Sequence, residues 1–156
     1  MTGGGTTLTN QGGYDVFLVK LSTTDGSVSF AVSFGGSSSD IPNAIALDAS
    51  GGSAFYLTGH FYSTTMTVGG TTLTTHGNYD VFLAKLSTTD GSVSFAVSFG
   101  GSSGDIPNAI ALGDSGGSAF LTGYFGSSSM TVGGTTLTNQ GSYDVFLAKL
   151  STTDGS

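Results

Sequence analysis

The sequence predicts an all-β repeat protein made of propeller-blade-like, four-stranded antiparallel units of 64–65 residues. Three observations carry this. Tyr14, Tyr79 and Tyr143 open nearly identical phrases, 65 and 64 residues apart. Apolar residues alternate with a period of two, and no stretch sustains the 3.6-residue period of a helix. The composition favours strands: Val, Phe, Tyr and Thr are plentiful, Glu is absent, and charged residues make up 8% against about 25% in an ordinary soluble domain. A β-solenoid is the alternative, but its coils are usually shorter, and no glycine–aspartate calcium nonapeptide occurs.

The units read 1–65, 66–129 and, in part, 130–156. They open with "MTGGGTTLT" and then twice with "MTVGGTTLT", which puts Met1 in register with Met66 and Met130. Residues 1–27 and 130–156 differ only at Gly3/Val132, Gly13/Ser142 and Val19/Ala148. Within the second unit, "MTVGGTTLT" reads as a hairpin turning on Gly69-Gly70. "YDVFLAKL" (79–86) is apolar on both alternating faces and is expected to be covered from both sides. "STTDGS" supplies an Asp90-Gly91 turn. "SVSFAVSF" (92–99) puts Val93, Phe95, Val97 and Phe99 on one face and Ser92, Ser94, Ala96 and Ser98 on the other. "PNAIALG" (107–113) is a short strand for a crowded position, and "SAFLTGYF" (118–125) closes the set.

Net charge −7 with only Lys20, Lys85 and Lys149 as cations argues against a nucleic-acid backbone or an anionic membrane as partner, since both need clustered Lys and Arg. No apolar run is long enough to span a bilayer. The absence of cysteine excludes disulfides, a thiol nucleophile and a cysteine zinc site. No secretory leader is legible in "MTGGGTTLTNQGG". Low charge with abundant Gly, Ser and Thr suits an extracellular or cell-surface location.

Residues able to carry chemistry are few. His60 and His76 are replaced by Tyr124 and Gln140 in the next unit, so both read as structural or incidental. Asp15, Asp80 and Asp144 stand five residues before Lys20, Lys85 and Lys149, hence on opposite faces of their strands. Such residues could pair between neighbouring blades as an ion-pair belt, or the lysines could snorkel. Asp40 and Asp105 lie in "SDIPN" and "GDIPN", where calcium is conceivable but too few oxygens are supplied, and an Asx-type turn explains them as well. No nucleophile elbow or phosphate loop is present. No catalytic residue, metal ligand or cofactor is expected.

"DVFLAKLSTTDG", "FGGSSGDIPNAIAL" and "SGGSAFLTG" together resemble the bacterial seven-bladed β-propeller repeat over nearly the whole chain. Two positions depart from its pattern: Gly113 stands where Asp48 stood, with Asp114 shifted by one, and the turns read Gly51-Gly52 and Gly116-Gly117. The resemblance implies secreted or surface-exposed, usually non-catalytic modules.

With strands named in blade order A, B, C and D, the chain reads C-D, A-B-C-D, A-B-C. Two blades and a fraction cannot close a propeller of about four to eight blades. The apolar, uncharged D strand is hazardous at an open edge. The expectation is head-to-tail self-assembly, one chain's D strand completing the next chain's A-B-C in a ring or a filament. One terminal C strand is then redundant. The residues expected to carry it are Val16, Phe17, Leu18, Val28, Phe30, Val32 and Phe34 at one end, and Val145, Phe146 and Leu147 at the other. The partner is a copy of the same chain. The alternatives are a glycan-binding module using Phe61, Tyr62, Tyr124 and Phe125, or a piece of a longer surface propeller.

Overall fold

The structure is a computed structural model and describes residues 6–48, 52–113 and 117–156. Met1, Gly3, Gly51, Asp114 and Gly116, singled out in the sequence, lie outside the described residues. The period-two alternation becomes strands throughout. β1 (Val16–Leu21) and β2 (Val28–Gly36) form an antiparallel pair, followed by β3 (Asp40–Leu47) and β4 (Ala54–Phe61). A hairpin of β5 (Thr65–Val68) and β6 (Thr71–Thr74) leads to β7 (Asp80–Ser87) and β8 (Val93–Phe99). The pattern repeats as β9 (Asp105–Leu112), β10 (Ser118–Phe125), the hairpin β11 (Ser129–Val132) and β12 (Thr135–Thr138), and β13 (Asp144–Ser151).

β3-β4-β7-β8 is a four-stranded antiparallel sheet in chain order, which is the expected blade. β9-β10-β13 has only the first three strands, and β1-β2 only the last two. β5 also bridges to the first sheet, Gly35 opposite Thr67 and Gly36 opposite Met66, so this hairpin fastens its unit to the preceding one, whereas β11-β12 forms a two-stranded sheet of its own. The Gly69-Gly70 and Gly133-Gly134 turns have positive φ at both residues (54° and 87°; 52° and 78°), the backbone that two-residue hairpins require and that glycine adopts without strain.

β7 is covered on both sides, as its apolar pattern requires. Val81 and Leu83 join a core with Leu121, Phe125, Phe146 and Leu150 of the third sheet. Phe82, Ala84 and Leu86 join a core with Val16 and Phe34 of the first. Sheets therefore stack face to face, each interface filled by alternate residues of the same strands.

Two local expectations change. A register shift between Lys85 and Leu86 moves Val93 onto the face toward the first sheet, while Phe95, Val97 and Phe99 face the third. A bulge inserts one residue and breaks strict alternation, which residue spacing alone does not reveal. The strand read from Pro107 begins at Asp105, and its proline sits in an edge strand beside a second register shift, where a missing N–H is tolerated.

Candidate functional site

The two incomplete sheets expose opposite faces of the same strand. β1 turns Val16 and Leu18 toward the second sheet and leaves Phe17 64% and Leu21 55% exposed. β13 does the reverse: Phe146, Ala148 and Leu150 are buried against the second sheet, while Val145 is 79% and Leu147 71% exposed. The corresponding residues of β7 on both faces (Val81, Phe82, Leu83 and Leu86) are wholly buried. Each terminal strand thus carries the half of the packing that the other lacks. Ile45 and Leu47 of β3 are also exposed, whereas the equivalent Ile110 and Leu112 pack against the second sheet. They face the first sheet, where the described residues supply no A or B strand over them.

Of the other residues expected to mediate assembly, Phe34 belongs to the core shared with the second sheet, and Val32 packs against it. Phe30 is buried edge-on to Phe55, with a ring separation of 6.4 Å. Val28 is half-buried. Beside β13 runs a groove of about 330 Å³, lined by Val132, Gly133, Leu137, Leu147 and Leu150 among others. In the complete blade, Gly69 of the hairpin sits hard against Val93 of β8 at the matching place. The groove lies where β8 stands in the four-stranded sheet.

Polar contacts between sheets repeat as faithfully as the apolar ones. Lys20 Nζ donates to the Thr88 carbonyl at 2.7 Å, and Lys85 Nζ to the Thr152 carbonyl at 2.9 Å. The lysines therefore do link neighbouring sheets, but to turn carbonyls rather than to an aspartate belt. The paired aspartates cap their own loops instead: Asp15 accepts from Gln11 N–H, Asp144 from Gln140 N–H, and Asp80 from both the backbone and the ring of His76. Odd spacing put Asp and Lys on opposite faces, and a loop N–H four residues back lies nearer than any lysine.

Asp40 and Asp105 are fully buried and tie three segments together. Asp40 Oδ2 accepts from Gly36 N–H at 2.7 Å and from Ser63 Oγ at 2.9 Å; Asp105 repeats this with Gly101 at 2.7 Å and Ser127 at 3.0 Å. Ser63 and Ser127 also accept from Ser38 and Ser103 N–H at 2.9 Å. This differs from an Asx-type turn, because each carboxylate reaches back to the glycine pair that ends or follows the preceding D strand and across to the serine ahead of the hairpin. Burial pushes the Asp40 carboxyl above its ordinary value, against the opposing pull of these donors. Burial likewise raises Asp80, with the His76 hydrogen bonds pulling the other way. Ser63 and Ser127 were not singled out in the sequence, where they are lost among many serines.

At the same end, Tyr62 and Tyr79 lie 4.6 Å apart between ring centres, with His60 about them at 5.6 and 5.5 Å. Tyr124 and Tyr143 form a second pair at 5.6 Å. Burial, and then the neighbouring Tyr143, Tyr62 and Tyr124, push the Tyr79 phenol up. His60 is buried with Nδ1 at 2.8 Å from Asn43 Oδ1, and burial pulls its pKa down. Phe61 and Phe125, named as glycan platforms, are core residues, since they point to the face opposite the adjacent tyrosines. Among the described residues no group of three or more His, Asp, Glu or Cys is placed to hold a metal ion.

No protein-family model matches the chain, and no curated protein matches it.

Proposed function

We propose that the protein is a non-enzymatic structural repeat protein of the extracellular space or cell surface that self-assembles head to tail through strand complementation. The observation that carries this reading is the pair β1 and β13. They share the sequence VFL, then Val or Ala, then KL, and each is half-covered on the face that the other exposes. Large exposed apolar side chains on a sheet face, next to unpaired strand edges, mark an interaction surface or an aggregation liability. Here the complementary surface is in the same chain, so the contact is heterologous and propagates to a ring or a filament. The resemblance to the bacterial propeller repeat supports the reading of these sheets as blades of a secreted protein.

Light scattering with negative-stain imaging of the purified chain tests it. Discrete rings or regular fibres are expected; a well-folded single chain of 15.5 kDa at all concentrations refutes it. A second reading, carbohydrate binding, is favoured only by the exposed rings of Tyr62 and Tyr143 beside Tyr79 and Tyr124. Sugar-dependent retention on a glycan array, lost in Tyr62→Ala, would support it.

A further inference from the structure

The exposed faces, the groove beside β13 and the buried interface of the complete blade together specify how two copies join. This step rests on the self-assembly reading above. We propose that β2 of a second copy fills the groove beside β13, and that β13 takes the place of that copy's β1, which is expelled. The new blade is then β9-β10-β13 from one chain and β2 from the next.

The complete blade provides the register. There Val81 is opposite Phe99, Leu83 opposite Val97, Ala84 opposite Ala96 and Lys85 opposite Phe95. Within the first sheet the same pairs are Val16–Phe34, Leu18–Val32, Val19–Ala31 and Lys20–Phe30. Exchange replaces Val16, Leu18, Val19 and Lys20 by Val145, Leu147, Ala148 and Lys149 of the neighbouring copy. Val145 and Leu147 thereby enter the core that Val16 and Leu18 leave, with only Val19 changing, to Ala148. Lys149 reaches the Thr88 carbonyl of the second copy, as Lys20 does within one chain. Val28 of the second copy meets Gly133, as Val93 meets Gly69. β9 and β10 come to lie over Ile45 and Leu47 of the second copy, the residues its own first sheet leaves bare.

β1, not β13, gives way because it is held less firmly. Of its residues only Val16 is buried, whereas Phe146, Ala148 and Leu150 are buried in β13. β13 is also preceded by a docked hairpin whose Met130 and Val132 are buried. Residues 6–15 ahead of β1 form no strand. Once exchanged, a single C strand is covered on both faces, as β7 is.

The chain has no cysteine, so introduced pairs report cleanly. Val19 and Ala31 are directly opposed across β1 and β2, and a Val19→Cys/Ala31→Cys disulfide would lock β1 in place. The oxidised variant, with its bond verified by mass spectrometry, is expected to stay at 15.5 kDa; reduction should raise its mass at least twofold. A second variant, Ala31→Cys/Ala148→Cys, should give disulfide-linked multimers on a non-reducing gel. Oxidised, locked chains that assemble like the unaltered protein overturn the exchange while leaving self-assembly intact. So does assembly of the second variant with its thiols free. An unaltered chain that is monomeric overturns the self-assembly on which the exchange rests.

Discussion

Leu83 and Leu147 occupy the same position in the identical strand sequence DVFLAKLS, and only their surroundings differ. Leu83 is wholly buried in the core between the second and third sheets; Leu147 is 71% exposed. Replacing Leu83 by Ala removes a fully buried side chain and leaves a cavity, for a loss of about 2–5 kcal/mol. In a single chain, less than a third of Leu147 is shielded from water. Since full burial of a leucine is worth roughly 2 kcal/mol, Leu147→Ala should cost about 0.6 kcal/mol. In the assembled state Leu147 takes the surroundings of a buried strand, and its truncation should weaken association by about tenfold or more, equivalent to about 1.4 kcal/mol. The assay is urea denaturation followed by circular dichroism and tyrosine fluorescence, run across a concentration series for both variants. Leu83→Ala should lower stability at every concentration. The Leu147→Ala deficit should be small where light scattering gives one chain and should grow where it gives multimers. Equal losses for the two variants at the one-chain mass would refute the packing argument, because the sequence around them is the same.

Asp105→Ala strips two short charge-assisted hydrogen bonds from Gly101 N–H and Ser127 Oγ, and thermal or urea unfolding should show a loss of at least about 3 kcal/mol, since such bonds contribute about 1.5–3 kcal/mol each. A loss below about 1 kcal/mol would remove Asp105 from the set of residues that fasten the sheets. Gly101→Ala drives a Cβ into the Ser129 carbonyl where the hairpin docks on β8, so it should cost about 1–3 kcal/mol and speed hydrogen exchange of the Thr131 and Val132 amides. Unchanged exchange there would argue against that contact. His60 has a folded-state pKa below its ordinary 6.5 because burial disfavours its charge. Its contribution is therefore full above pH 6.5 and is lost as pH falls from 6.5 through the folded value. His60→Tyr, the residue of the next repeat, should show a smaller drop in Tm between pH 7.5 and 5 than the parent; identical drops would assign the acid sensitivity to other groups. The raised carboxyls Asp40 and Asp80 act with the opposite sign, favouring the folded state as pH falls toward 3.8, and cancel in this comparison.

Fold class, repeat length, blade order and the two-sided burial of β7 were legible in the sequence, because side-chain alternation and turn glycines are local signals that adjacent residues carry. "DVFLAKLS" is apolar on both faces wherever it occurs, so its need for cover on two sides can be read directly. Whether that need is met cannot. The same eight residues are sealed in β7 and half-bare in β13, since cover comes from strands far away in the chain. The bulge that turns Val93 to the other face, the reach of Asp105 to Ser127 and the choice of a turn carbonyl over an aspartate by Lys85 are likewise tertiary. Each depends on which distant backbone or side-chain group comes nearest once the sheets stack, and residue spacing within one strand holds no record of it.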